Sequence, residues 1–351
     1  MQDAPLRPFR FGEAAALVRA GVPAVLVTIV QVKGSAPREP GVRMLVGADM
    51  LIGTIGGGHL EWRGMEIARA MLAESGSQAP RQVVRIPLGP ALGQCCGGVV
   101  HLAFETLSAA DLEWLDAVNA AFAAHRAIER NVPVSGSVTH ALRDDATPAW
   151  PPVHLHPDSS WRERIAPDEM HVVLFGAGHV GQALVRVLGT LPCSVQWVDE
   201  RDTLFPPGCE ANIATEATDT PEAVVDQAPP GSYFLVMTHS HALDERLCER
   251  ILRRRDFAFF GLIGSKTKRA RFEHRLTERG IDPARLAEMT CPIGVTGITD
   301  KAPAMIAVAI VAQLLQVRDR RLARDRDGDV PAGPPSAAAR CDNPPPPPAD
   351  R

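Results

Sequence analysis

The chain has 351 residues, 45% of them hydrophobic, and its 37 basic and 41 acidic side chains leave a net charge of −4. That length and apolar content predict about two domains with real cores and exclude a disordered chain. The acidic balance argues against a bulk nucleic-acid binder, and the 5% aromatic content against a base-stacking platform.

The start, Met1 to Arg10, is polar, and the next apolar stretch is broken by Arg19 and Gly21, so no secretory leader is expected. The longest apolar run, Ala302 to Leu315, falls short of the roughly 20 residues a membrane span needs. No membrane contact is expected. Seven scattered cysteines, an odd count, then read as free thiols in a reducing compartment, and the expected location is cytoplasmic.

Ala24–Val32, Val42–Val46 and Leu51–Ile55 are β-branched and apolar, with a Gly47-Ala48-Asp49 turn signal between the last two. Gly56-Gly57-Gly58 breaks the pattern, and Leu60, Ile67, Ala68, Met71 and Leu72 follow at helical spacing. Strands Gln82–Ile86 and Val99–Phe104 bracket a second glycine-rich loop, Leu88–Gly98. Ser108 opens another helix, with Asp111 placed as in a capping box. From about Val132 to Asp168 the chain is rich in Pro, His, Asp and Ser, and reads as a poorly defined strand pair followed by a linker.

After that the grammar changes to short apolar strands alternating with helices, the signature of a parallel sheet. The strands are His171–Phe175, Val195–Val198, Asn212–Thr215, Tyr233–Thr238 and Phe257–Ile263. A last helix starts near Ala302 and extends toward the charged segment Arg318–Arg326. The expectation is an α/β protein: an N-terminal α+β domain over 1–130, a linker over 131–169, a Rossmann-like doubly wound parallel-sheet domain over 170–318, and a disordered Pro-rich tail over 319–351.

Gly176-Ala177-Gly178-His179-Val180-Gly181 follows a strand and opens a helix, and Asp199 ends the next strand. Gly176, Gly178 and Gly181 would let backbone approach a pyrophosphate at a helix N-terminus, and Asp199 would favour a free ribose 2′-hydroxyl. NAD or another nucleotide is one expected ligand; a Rossmann shape serving something else is the other reading. His179 belongs to the same loop.

Ligands of such sheets sit outside the carboxyl ends of the strands. Thr238-His239-Ser240-His241, with Asp244, falls there; His239 and His241 with a carboxylate suit metal binding or proton transfer, or simply a hydrogen-bonded loop. Gly264-Ser265-Lys266-Thr267-Lys268-Arg269 also falls there, and Ser265 and Lys266 at a helix start suit a phosphate. Their order is not that of a phosphate-binding loop of triphosphatases.

Gly93-Gln94-Cys95-Cys96-Gly97-Gly98 is the most unusual segment. Adjacent cysteines are poor partners for one tetrahedral metal, so no zinc ribbon is expected. A thiol in an amide-rich loop suits a soft metal ligand or sulfur carrier; alternatively Cys95 or Cys96 packs inward. Cys193, Cys209, Cys248 and Cys341 look structural or incidental, whereas Cys291, before Pro292, sits in a tight turn.

Together these segments resemble the xanthine dehydrogenase accessory (XdhC/CoxI) family. The matching pieces are Lys33 to Glu39, Ile55 to Gly58 with Leu60-Glu61, Leu88 to Gly98, Gly176 to Gly181, Thr238 to His241, Gly261 to Arg269 and Cys291 to Gly294. The resemblance implies a non-enzymatic chaperone that binds molybdenum cofactor (molybdopterin), protects it while a cysteine desulfurase installs a terminal sulfur, and delivers it to the molybdenum subunit of apo-xanthine dehydrogenase. It also implies a homodimer and a place in purine catabolism. In that reading Gly56, Gly57, Gly58, Ser265 and Lys266 hold anionic groups, while Gln94, Cys95 and Cys96 meet the cofactor and Cys95 its molybdenum. Two departures stand out: Asp300-Lys301-Ala302-Pro303 lacks the acid usual before the last helix, and His59 replaces a small residue. An NAD-dependent oxidoreductase explains Gly176 to Gly181 and Asp199 but leaves Cys95-Cys96 no role. A thiol redox protein would need a strained vicinal disulfide.

Overall fold

The computed structural model describes residues 8–74, 81–88, 98–143, 152–167 and 170–327. Its first sheet is antiparallel and is built around β1 (Val25–Lys33), a β-branched run buried on both faces for most of its length. β2 (Arg43–Val46) and β3 (Leu51–Gly53) lie on one side of it, and β5 (Val99–Thr106) and β4 (Arg81–Pro87) on the other. α2 (Gly58–Ala73) covers one face through Leu60, Gly64, Ala68 and Met71, a spacing of one helical stripe. α1 (Phe11–Arg19) and α3 (Leu112–Ala123) pack on the opposite face. The box expected at Ser108 is present: the Ser108 amide donates to Asp111 Oδ2 at 2.9 Å.

Residues 131–169, expected as a linker, contribute to a second antiparallel sheet. β6 (Ala127–Val132), β7 (Thr139–Arg143), β8 (Val153–Leu155) and β9 (Trp161–Ile165) line up in the order β7-β6-β9-β8. The alternation that would have announced these strands is broken by charge. The inner face of β6 reads Ile128, Arg130, Val132, and that of β9 reads Trp161, Glu163, Ile165, all buried.

Arg130 is fully buried and donates to Glu163 at 2.6 Å and to Glu105, on β5, at 2.7 Å. Its guanidinium lies 3.6 Å from the centroid of Trp114, whose indole N–H donates to Asp111 at 3.0 Å. Arg43 on β2 takes the second oxygen of Glu163, and Arg81 on β4 approaches Glu105 at 3.8 Å. Burial pushes the Glu105 carboxyl up, whereas at Glu163 Arg43 and Arg130 outweigh burial and hold the carboxyl below its ordinary range. The network joins both sheets and α3.

The second half is a six-stranded parallel sheet: β10 (His171–Phe175), β11 (Ser194–Asp199), β12 (Ile213–Ala217), β13 (Tyr233–Val236), β14 (Phe259–Leu262) and β15 (Met289–Thr290). The order β12-β11-β10-β13-β14-β15 is 3-2-1-4-5-6 counted within the domain, as in dinucleotide-binding folds. β15 was not expected: two residues carry no periodicity. α4 (His179–Leu188) and α9 (Pro303–Asp327) cover one face. α5 (Pro221–Gln227), α6 (His241–Arg253), α7 (Lys266–Glu278) and α8 (Pro283–Leu286) cover the other. α9 continues past the boundary expected at 318; residues 328–351 lie outside the described residues. Among the described residues no helix is long and apolar enough to cross a membrane.

The halves meet where His125, after α3, sets its ring edge-on to His171 at the start of β10, centroids 4.9 Å apart at 83°. Ser194 Oγ is 2.9 Å from His171 Nδ1. Burial, and then His125, take the His171 pKa to about 4, from the ordinary 6.5. The unfolded chain therefore binds a proton near pH 6.5 that the folded chain refuses until about pH 4, so stability falls as pH drops through that interval.

Two outcomes follow. Arg130→Ala leaves two carboxylates buried without their shared cation and should cost about 3–5 kcal/mol in urea denaturation; a loss under about 1 kcal/mol would show that the network contributes little. Stability measured at pH 7 and pH 5 should fall more steeply in the wild type than in His171→Gln; equal slopes would show that the ring is not held neutral.

Candidate functional site

Three glycine-bearing loops converge in the first half. A methyl on Gly56, which has φ +115°, would meet Pro37 Cβ at 2.6 Å and Arg38 Cγ at 3.1 Å. A methyl on Gly98 would run into the backbone carbonyl of Ser35 and come within 2.9 Å of that of Lys33. The segment Lys33 to Arg38 thus lies against both the triple-glycine loop and the end of the cysteine loop. The base of the cysteine loop is closed by Leu88, whose amide donates to Gly98 O at 2.8 Å. Gln94, Cys95 and Cys96 lie outside the described residues.

The triple-glycine loop is not an open anion cradle. Glu61 Oε2 accepts from the amides of Ile55 at 3.1 Å and Gly57 at 3.2 Å, and from the Thr54 hydroxyl. The Gly56 amide donates to Thr54 Oγ1 at 3.1 Å. An internal carboxylate from the first turn of α2 already occupies the role expected of a ligand at Gly57, and the Thr54 hydroxyl occupies it at Gly56. Gly58 is the first residue of α2, and the His59 ring lies tilted beside that of the exposed Trp62, centroids 5.3 Å apart.

In the second half, the ends of β10 and β11 and the starts of α5 and α6 frame a solvent-open cleft of about 230 Å³. Gly176, Asp199, Glu200, Pro221, Thr238 and His239 are among its walls. It lies where β10 meets β13, the point at which strand order reverses. The three glycines have different reasons to be glycine. Gly176 has φ +116° and abuts the Met237 carbonyl; Gly181 abuts the Gly176 carbonyl, and Gly176 O also accepts from Trp197 Nε1 at 3.0 Å. A methyl on Gly178, the N-cap of α4, would meet nothing within 4 Å, so packing does not require its bareness. His179 beside it is exposed.

Asp199 is not waiting for a ribose. Its Oδ2 accepts from the Ala177 amide at 2.7 Å and from Arg201 Nη2 at 3.1 Å. Its Oδ1 accepts from Arg201 N at 3.0 Å and Nε at 2.9 Å. A carboxylate offers about four acceptor positions, so a sugar hydroxyl would have to displace Arg201. Burial pushes this carboxyl up, but the Arg201 and Ala177 hydrogen bonds outweigh it and leave it below its ordinary range. Arg201 was missed from the sequence, although an arginine just beyond the acid is a known companion of such clefts.

The other strand-end clusters are also bonded internally. Asp244, fully buried, accepts from the Thr238 amide at 3.1 Å and hydroxyl at 2.7 Å, and from Lys268 Nζ at 2.6 Å. Lys268 also donates to Ile263 O at 2.9 Å. This buried pair ties the loop after β13 to the loop after β14, and it removes the carboxylate that a metal at His239 and His241 would have needed. No group of metal-binding side chains occurs among the described residues. Ser240 and Ser265 cap α6 and α7, accepting from Leu243 N at 3.3 Å and Lys268 N at 3.2 Å. His241 and Lys266 are exposed and stand outside the walls of the cleft. Cys291 is buried, and burial raises its thiol, as it does that of Cys248. Neither is placed to react.

Residues 172–314 match the XdhC Rossmann domain, and residues 17–86 match the XdhC and CoxI family. The uncharacterized protein YqeB of Escherichia coli is 24% identical over 315 residues, 88% of this chain but 46% of its own, so the chain spans about half the length of that relative. A probable xanthine dehydrogenase subunit of Bacillus subtilis is 25% identical over 327 residues, 85% of this chain and 94% of its own. A crystal structure of a xanthine dehydrogenase from Bacillus halodurans has the same fold, with a TM-score of 0.68 at 21% identity over 89% of this chain and 97% of that one.

The glycine loop of the cleft separates packing from binding. Gly181→Ala should lose about 1–3 kcal/mol of stability through overpacking. Gly178→Ala should stay within about 1 kcal/mol of the wild type. Thermal denaturation of the two variants side by side decides this; equal losses would mean that Gly178 also serves the fold.

Proposed function

The chain belongs to the XdhC and CoxI family, and on that premise we propose that it is an accessory protein of xanthine dehydrogenase that carries molybdenum cofactor as cargo. It holds the cofactor while a cysteine desulfurase supplies the terminal sulfur and then passes it to the molybdenum subunit, with no turnover chemistry of its own. The working form is a homodimer in the cytoplasm.

The observation that carries this reading is the convergence of the Lys33 to Arg38 segment, the triple-glycine loop and the closed base of the cysteine loop. The cargo is bulky, anionic and sensitive to oxidation, with a soft metal site. Bare backbone at Gly98 and Gly56 holds these loops together, and Gln94, Cys95 and Cys96 belong to the segment that joins β4 to β5. A thiolate there supplies the soft donor that such a metal or its sulfur takes. Glu61 acts one step back, by fixing the triple-glycine loop, rather than by touching cargo.

The open position beside Gly178 favours a second reading, an oxidoreductase using a nicotinamide nucleotide. Against it stands the saturated carboxylate of Asp199.

One experiment separates the two. The protein is purified from cells that make molybdenum cofactor and denatured, and the oxidised pterin is read by fluorescence, with nicotinamide assayed in parallel. Near-stoichiometric pterin in the wild type, and at least about tenfold less in Cys95→Ala, is the expected result. Equal retention in the variant would remove that thiol from the site. Bound nicotinamide without pterin would overturn the carrier reading.

A further inference from the structure

The face of the first sheet turned away from α2 changes character step by step along the ladder of β4 and β5. Arg81 pairs with Glu105, in the buried ion network; Val83 pairs with Ala103, under the second sheet. The next pair on that face is Arg85 with His101, and then Pro87 with Val99, where the cysteine loop begins and ends. On the other side of β5, β1 places Gln31 opposite His101 and Lys33 opposite Val99. Directly opposed residues share a face with Cβ atoms about 5 Å apart. Gln31, His101 and Arg85 therefore form one row across three strands, with Lys33 a step closer to the loop.

This row is basic and uncompensated. Neither Lys33 nor Arg85 has an acidic partner among the described residues, whereas Arg81, one step behind on the same face, is paired with Glu105. His101 Nδ1 is shielded from solvent and has no hydrogen-bond partner among the described residues. A buried polar atom left this way signals a missing partner. Residues 89–97, which join the two strands, contain no Asp or Glu that could neutralise the row. The charged groups facing His101 are Lys33 and Arg85, and burial, then Lys33, then Arg85 hold its pKa below the ordinary value.

We infer that Lys33, His101 and Arg85 form a subsite for a phosphate-class dianion at the foot of the cysteine loop. Resting on the carrier reading, its natural occupant is the phosphate of the pterin cargo. Two fixed cations and an imidazole donor suit a doubly charged oxoanion better than a carboxylate. Bound anion between Lys33 and Arg85 also favours the imidazolium, so His101 takes up a proton as the site fills.

The probe is inorganic phosphate, titrated into the full chain against chloride of equal ionic strength. The His101 ring is followed by NMR and assigned with His101→Gln. The expected result is a saturable shift with a rise in the His101 pKa, and binding weakened at least about tenfold in both Lys33→Gln and Arg85→Gln. Both positions are exposed, so the variants should fold, and thermal denaturation checks this. No saturable response, or the same response in folded variants, overturns the subsite. Pterin retention measured on the same proteins keeps the two ideas apart. Retention that drops in Lys33→Gln and Arg85→Gln supports the cargo phosphate as occupant. Wild-type protein that binds phosphate at His101 but never retains pterin removes the carrier reading and leaves the subsite, with a free phosphate or another phosphate ester as its ligand. Retained pterin with no phosphate response removes the subsite alone.

Discussion

Arg130 sits without solvent contact between Glu105 of one sheet and Glu163 of another. In a low-dielectric interior a charge must be paired and hydrogen-bonded or it is very costly to bury. The two sheets of the first half can therefore pack only where these groups meet, with Arg43 and Trp114 closing the remaining sides. An apolar contact would tolerate a slip; five charged side chains from five strands do not. That register sets where β4 and β5 leave the sheet, and so where the cysteine loop stands relative to the segment Lys33 to Arg38.

The second half follows the same logic at a smaller scale. Its polar strand-end residues, which look like ligand-binding groups when taken one by one, mostly bind one another. Asp199 holds Ala177 and Arg201; Asp244 holds Thr238 and Lys268; Ser240 and Ser265 cap helices. These bonds tie the loop after β10 to that after β11, and the loop after β13 to that after β14, which braces the rim as two pairs. The rim supports a cleft without supplying most of its contacts. Gly178, unlike Gly176 and Gly181, is crowded by no protein atom.

Function in this fold then divides between shape and charge. The motifs shared with the XdhC and CoxI family largely build shape: glycines where backbones touch, and acids that fasten loops. Charge left over after that bracing is informative where several like groups share one face of a sheet. In the first half Lys33, Arg85 and His101 share one such face, near the ends of β4 and β5 that flank the cysteine loop. In the second half Lys266 and His241 are exposed and lie away from the cleft walls.

The sequence by itself determined the class of each half. Alternating strands and helices with Gly176 to Gly181 announced the parallel sheet, since one-dimensional periodicity reports which face of an element is apolar. It also located the β4 and β5 strands around the cysteine loop. It did not reveal β6 to β9 as a sheet, because Arg130 and Glu163 occupy the middle of inner faces where periodicity expects apolar residues. Nor did it separate Gly178 from Gly176 and Gly181, or show that Glu61, Arg201 and Lys268 would occupy the groups assigned to ligands. Pairing between residues far apart in the chain is decided by which atoms come within about 3 Å of each other after folding. That information exists only in the tertiary structure, and it is what turned a set of binding motifs into one braced scaffold with an uncompensated basic row.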